Sequence, residues 1–167
     1  MRKTLLMCSF GLIALGLSSC NSQRKTTPQR TKVETLSSQK LKGDWRITSI
    51  DYDSKKFKIK PFGEGIDARC FIGSVWTLVP NNNSGAYRLS ATGNCPSISQ
   101  DIKFEVTKNK EFRFKKLEQN VKAKHITEGY VLQLENHHLN HFTLVQNVLF
   151  EGQNIEVRYQ FEKILTK

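Results

Sequence analysis

Val75-Trp76-Thr77-Leu78-Val79-Pro80-Asn81-Asn82-Asn83-Ser84-Gly85-Ala86-Tyr87-Arg88-Leu89 alternates large apolar with polar residues on either side of a polar centre. Alternation of period two marks a strand with one buried face. The Pro, Asn, Ser and Gly residues between Pro80 and Gly85 are turn formers. With the turn centred between Asn82 and Asn83, Trp76 faces Leu89, Leu78 faces Tyr87, and Cys70 faces Cys95. One face then collects Cys70, Ile72, Trp76, Leu78, Tyr87, Leu89, Ala91 and Cys95. The other collects Thr77, Arg88, Ser90, Thr92 and Asn94, together with Phe71 and Val75. Residues opposed on antiparallel strands have Cα atoms ~4.5–5.5 Å apart, within disulfide range. A Cys70–Cys95 disulfide clamping the open end of this hairpin is therefore predicted.

The same period continues outward. Ile102, Phe104 and Val106 alternate with Asp101, Lys103 and Glu105. Pairing about Asn109 sets Phe104 against Phe114 inside, with Glu105 opposite Arg113 and Lys103 opposite Lys115 outside. Further inward rows are Tyr130, Leu132 and Leu134, then Phe142, Leu144, Val148 and Phe150, then Ile155, Val157, Tyr159 and Phe161, with Trp45 and Ile47 opening the series. Strands are expected over residues 44–52, 70–79, 86–95, 98–106, 111–117, 128–136, 140–150 and 154–164. Short hairpin links and one-sided burial predict an all-β, eight-stranded antiparallel up-and-down barrel, in which closure removes the sheet edges. An open sheet folded into a sandwich is the alternative.

Ahead of this domain, Arg2 and Lys3 precede an uncharged run from Leu5 to Leu17, followed by Ser18-Ser19-Cys20. The run is shorter than the ~20 residues a spanning helix needs and has the three parts of a secretory signal. A cysteine directly after small residues resembles the lipobox of bacterial lipoproteins. That resemblance implies a signal peptide over 1–19, cleavage before Cys20, and acylation of Cys20 with palmitate-type chains. It implies a protein of the bacterial cell envelope, anchored to a membrane through its N-terminal lipid. Asn rather than Asp at position 21 implies, by the same analogy, the outer membrane facing the periplasm. Residues 20–40 are polar and carry Arg24, Lys25, Arg30, Lys32 and Lys40 against Glu34, a composition expected to form a disordered tether. Residues 41–167 make the barrel domain.

Four cysteines divide accordingly: Cys8 lies in the signal, Cys20 takes the lipid, and Cys70 and Cys95 remain. Removal of Arg2 and Lys3 from 26 bases leaves 24 against 15 acids. Such a surplus suits an anionic envelope component; export and the lack of a recognition motif exclude nucleic acid as a partner.

Gly43-Asp44-Trp45 at the start of the first strand supplies a G-x-W motif, and with eight successive strands the domain resembles the lipocalin-like domains of small bacterial lipoproteins. The resemblance implies a calyx that binds a small apolar ligand, with Trp45 plugging the closed end and a long loop after the first strand. Asp53–Arg69 is that loop, with Phe57, Ile59, Phe62 and Ile66 among four lysines. Lipocalins also pack a late arginine on the tryptophan; the candidate, Arg158, falls on the outer face by parity.

Trp45, Trp76, Tyr87, Phe104, Phe114, Tyr130 and Tyr159 are the candidate ligand-binding residues, as an aromatic interior suits a fatty acid, isoprenoid or similar molecule. The same rings would also fill a barrel of this size. His137, His138 and His141 lie at a turn, with His141 opposite Glu135; they lack a fourth ligand and read as solvated residues rather than a metal site. Inward polar residues reduce chiefly to Ser74 and Gln100, which make no catalytic set, so neither an enzyme nor a cofactor is expected. The alternative to ligand binding is a non-enzymatic interaction protein docking its basic outer surface (Lys103, Arg113, Lys115, Lys116, Lys122, Lys124) on an anionic envelope component or protein partner.

Overall fold

The structure is a computed structural model that describes residues 40–165. Residues 1–39, with the expected signal, Cys20 and most of the expected tether, lie outside the described residues, as do Thr166 and Lys167. Among the described residues no helix is long and apolar enough to cross a membrane. Eight strands follow one another: β1 Gly43–Asp51, β2 Val75–Val79, β3 Ser84–Leu89, β4 Ile98–Val106, β5 Glu111–Lys116, β6 Tyr130–Glu135, β7 His141–Phe150 and β8 Gln153–Lys163. Each pairs antiparallel with its sequence neighbours, and β1 also pairs with β8, which closes the barrel. The up-and-down barrel is formed, and the sandwich is not.

β1 makes closure possible. Its first half pairs with β2 from Gly43↔Leu78 to Arg46↔Val75, and its register with β8 shifts between Ile47 and Ser49. Such a bulge bends a strand, and a closed barrel needs that bend. Alternating side chains fill the interior. Trp45, Ile47, Trp76, Leu78, Tyr87, Leu89, Ile102, Phe104, Phe112, Phe114, Leu132, Leu134, Phe142, Leu144, Val157, Tyr159 and Phe161 are all buried.

The β4–β5 hairpin has the expected register, with Phe104↔Phe114, Glu105↔Arg113 and Lys103↔Lys115. The β2–β3 hairpin does not. Trp76 pairs with Tyr87 and Leu78 with Gly85, so the turn centre sits one residue earlier than expected. The cause is local. Pro80–Asn82 form a single 3₁₀ turn and Asn83 takes the left-handed conformation at φ 56°, so Ser84 already belongs to β3. Asn82 Oδ1 accepts from the Ser84 amide at 3.1 Å. Gly85 suits this register, because a Cβ there would lie 2.7 Å from the Thr77 carbonyl oxygen. The slip moves each partner by an even number of positions, so the faces of Trp76, Leu78, Tyr87 and Leu89 survive it.

The strands are also shorter than expected at their outer ends. Residues 70–74 and 90–95 are not strand; Ile72 and Ala91 are exposed, and Phe71, expected outside, is fully buried. Phe150 leaves the inner row and is 49% exposed at the end of β7. The Cys70–Cys95 disulfide is present, with Cα atoms 5.4 Å apart. It joins two loops rather than opposed strand residues. Cys70 sits in a 3₁₀ turn, Ala68–Phe71, whose N-cap Asp67 accepts from the Arg69 amide, and Cys95 sits in a bridge with Thr92.

The bond closes a loop with a sequence separation of 25, and on the chain-entropy model it stabilises by roughly 3–4 kcal/mol. Replacing both cysteines (Cys70→Ala with Cys95→Ala) is expected to lower the melting temperature by about 10 °C in a circular-dichroism melt. An unchanged midpoint would refute a stabilising role.

Candidate functional site

The barrel has two unlike ends. At one end lie the chain entry at Lys40, the β2–β3, β4–β5 and β6–β7 turns and the chain exit after Lys163; at the other lie the loops 52–74, 90–97 and 117–129. Trp45 seals the first. It is fully buried, its indole Nε1 donates to the Leu41 carbonyl at 2.8 Å, and its ring meets Phe142 edge-on at 4.7 Å. Phe142 stacks on Phe161 at 4.5 Å. The cation over Trp45 is Lys163, whose Nζ lies 5.5 Å from the ring centroid. Arg158 lies on the outer wall, as its parity implies, where it donates to Glu135 at 2.6 Å and Glu156 at 2.8 Å.

The mouth is closed by the loop after β1. Phe62 and Gly63 both adopt left-handed backbone angles, φ 54° and 64°, and this reversal turns the Phe62 side chain into the barrel. A Cβ on Gly63 would lie 2.8 Å from the Tyr130 hydroxyl, so only glycine fits there without displacing Tyr130. Phe62 is 3% exposed. Its ring centroid lies 5.2 Å from Phe114, 5.3 Å from Tyr159, 5.4 Å from Phe71, 5.6 Å from Tyr130 and 5.8 Å from Trp76. Tyr87 joins this box by stacking on Trp76 at 4.7 Å.

Five of the seven candidate ligand residues therefore come together around Phe62: Trp76, Tyr87, Phe114, Tyr130 and Tyr159. Phe104 lies apart from that box, stacked on Phe112 at 5.2 Å, and Trp45 belongs to the closed end. Phe62 and Phe71 complete the box and were not among the candidates. Phe62 lies in a loop, where no alternation assigns a residue to a face; Phe71 falls on the outer face by an alternation that the 3₁₀ turn Ala68–Phe71 interrupts.

Glu64, two residues beyond Phe62, latches the loop to the wall. Its carboxylate accepts from the Tyr87 hydroxyl and from Lys116 Nζ, the latter at 3.1 Å. Burial, and then the Glu64 carboxylate, push the Tyr87 phenol well above the usual tyrosine range. Burial does the same for Tyr130 and Tyr159, so the interior phenols are neutral. Tyr159 donates to Gln146 at 2.9 Å, and Tyr130 to Glu128 at 2.6 Å. Of the two expected inward polar residues, Ser74 accepts from the Trp76 indole at 3.2 Å, and Gln100 is half-buried and donates to the Leu117 carbonyl at 2.9 Å.

Beside Phe62 the mouth opens into a cleft of about 400 Å³, floored by Ile59, Phe62, Val148 and Ile155 and rimmed by Lys56, Lys58 and Lys60. Phe57 meets Phe150 edge-on at 6.0 Å on its border. A shallower groove of about 630 Å³ runs along the outer wall of β4–β6. Its lysines are engaged: Lys103 donates to the Asn82 carbonyl at 3.0 Å and Lys115 to the Ile126 carbonyl at 2.7 Å. Arg113 is paired with Glu111 at 2.6 Å, and Lys116 with Glu64. Of the six outer bases expected to form a docking surface, Lys122 and Lys124 are exposed.

No family model and no curated protein matches the chain. The fold is similar to that of bovine odorant-binding protein. The protein from bovine nasal mucosa shares 15% identity at a TM-score of 0.47, over 79% of this chain and 75% of that one. Its complex with a selenium-containing odorant aligns at 14% identity and a TM-score of 0.48, over 78% and 74% of the two chains. The complex with undecanal aligns at 13% identity and 0.45, over 75% and 72%.

The histidines at the closed end form no metal cluster among the described residues. His141 pairs with Glu162 of β8, and Glu135 with Thr143, in place of the expected His141–Glu135 opposition. His138 and His141 rings lie 4.5 Å apart. His137 is half-buried against Phe142 rather than solvated, and its Nε2 has no hydrogen-bond partner. Burial first, then Lys40, His138 and Lys110, lower its pKa below the ordinary 6.5. The unfolded chain thus binds a proton more readily than the folded one, so stability is complete above about pH 6.5 and falls on acidification. His137→Gln is expected to flatten that part of the decline. Denaturant melts of both proteins between pH 7.5 and about 5 test it; curves that stay parallel would refute it.

Proposed function

We propose that this chain is a lipid-anchored protein of the bacterial cell envelope whose barrel takes a small apolar ligand at its mouth. The observation that carries the ligand reading is Phe62. Its ring fills the middle of an aromatic box, yet it belongs to the mouth loop and not to the wall. Movement of that loop empties the space without breaking a strand pairing. The left-handed backbone at Phe62 costs on the order of 1–3 kcal/mol, which its release recovers. An entering molecule then buries apolar surface at ~25 cal/mol per Å² against the same rings. The cleft beside Phe62 gives it a first contact, and a fatty acid, isoprenoid or similar molecule suits an apolar floor with neutral phenols. The role is binding rather than catalysis, since the interior polar groups serve their neighbours: Ser74 serves Trp76, and Tyr159 serves Gln146.

The anchor rests on the signal: Arg2 and Lys3, the uncharged run to Leu17, and Ser18-Ser19-Cys20. Docking through the outer wall is the weaker reading, because Lys103, Arg113, Lys115 and Lys116 already have partners within the chain.

Two measurements test the proposal. Native mass spectrometry of the chain from residue 20 with Cys20→Ser, exported to the periplasm, is expected to reveal a small extra mass lost on denaturation. Phe62→Ala is expected to bind N-phenyl-1-naphthylamine at least ~tenfold more tightly than the unsubstituted protein, because the ring no longer competes for the site. A bare mass together with unchanged probe affinity would sink the ligand reading. Separately, the membrane-extracted protein should begin at Cys20 with acyl chains attached; an uncut signal or an unmodified Cys20 would sink the anchor.

A further inference from the structure

Charge is distributed unevenly between the two ends of the barrel. The mouth loops mix signs: Asp53, Glu64, Asp67, Glu118 and Glu128 accompany their lysines. The closed end does not. Its described tips are residues 40–42, 80–83, 107–110, 136–140 and 163–165, and they carry Lys40, Lys42, Lys108, Lys110 and Lys163 with no acidic residue. Contacts tie several of these tips to their neighbours. The Lys110 carbonyl accepts from the Leu134 amide at 2.7 Å, and the Asn140 carbonyl from the Lys163 amide at 2.8 Å. Lys163 lies over Trp45, and Lys40 and Lys110 both act electrostatically on His137.

Acids near this end sit on the strands, and most have partners. Asp44 accepts from Thr77 at 2.6 Å, Glu105 and Glu111 pair with Arg113, and Glu135 accepts from Arg158; Glu162 is exposed beside His141. Two leucines project from the basic surface: Leu139, 77% exposed at the β6–β7 tip, and Leu165, 72% exposed at the chain exit. The chain that leads back to Cys20 joins the barrel on this same surface, at Lys40.

We propose that the closed end is a membrane-docking face, with Lys40, Lys42, Lys108 and Lys110 on anionic lipid headgroups and Leu139 reaching between them. Lysines gain from the surface potential of anionic lipid within about a Debye length of it, and an exposed leucine flanked by bases adds apolar contact at the interface. The mouth loop and Phe62 then point away from the bilayer into the aqueous space. The orientation rests on the lipid-anchor reading; the docking itself is measured without the lipid, so the two fail independently.

The test uses the chain from residue 20 with Cys20→Ser and vesicles of phosphatidylcholine, with or without roughly one-third phosphatidylglycerol. Binding is expected only to the anionic vesicles, and it should weaken with salt. The triple variant Lys42→Gln, Lys108→Gln, Lys110→Gln should lose at least ~tenfold in affinity. A control with the same charge change at the mouth (Lys55→Gln, Lys122→Gln, Lys124→Gln) should lose less than ~twofold, since its sites lie beyond the reach of the surface potential. Leu139→Asn should weaken binding without changing the salt dependence. A closed-end loss no greater than the mouth loss, or equal binding to neutral vesicles, would overturn the proposal.

Discussion

Closure of β1 onto β8 is the constraint on which the rest of this molecule depends. Pairing the first strand with both β2 and β8 leaves no open sheet edge, and it limits the bore to the width that eight strands enclose. Along the strands side chains alternate between bore and exterior, save at the β1 bulge, so nearly every second residue must be apolar and of a size the packing accepts. Many of those residues are aromatic, which fills most of the volume with few side chains. What remains near the mouth is a space about one ring wide, bounded by Trp76, Phe114, Tyr130 and Tyr159.

The two ends meet the problem of sealing a barrel in different ways. At the closed end the plug is part of a strand: Trp45 is fixed by β1, by its indole bond to Leu41 and by Phe142. It moves only if the sheet does. At the mouth the plug hangs on a loop held by two contacts of the Glu64 carboxylate, by the disulfide-tied segment that follows, and by burial of Phe62. A side chain that carries backbone strain and sits on a loop yields more readily than one on a strand. The barrel therefore has one fixed end and one yielding end, and the proposed ligand would enter at the second.

Electrostatics follows the same polarity. Along the outer wall, Lys103, Arg113, Lys115, Lys116 and Arg158 are matched by acids or backbone carbonyls close by, so the surplus positive charge has less expression there. It emerges at the closed end because the turns there are built from Asn, His, Lys and Pro without an acid. His137 records that field: burial lowers its pKa, and the neighbouring lysines act in the same direction.

The sequence by itself determined the strand count, the buried face of nearly every strand, and the pairing of the two remaining cysteines. Period-two alternation survives errors of register, and this is why it places Trp76, Leu78, Tyr87 and Leu89 inward although their partners differ from the expected ones. The cysteine pair followed from opposition that the hairpin does not have; the loops at its open end bring Cys70 and Cys95 together instead. Only the tertiary structure decided the interior of the mouth. Phe62 lies in a segment without periodicity, Phe71 lies in a 3₁₀ turn where strand alternation points the wrong way, and the left-handed backbone that turns Phe62 inward is held by contacts with residues far away in sequence. The Glu64–Tyr87 and Glu64–Lys116 contacts likewise join residues 23 and 52 positions apart. Such contacts leave no local pattern in a sequence, because they exist only once the barrel has closed around them.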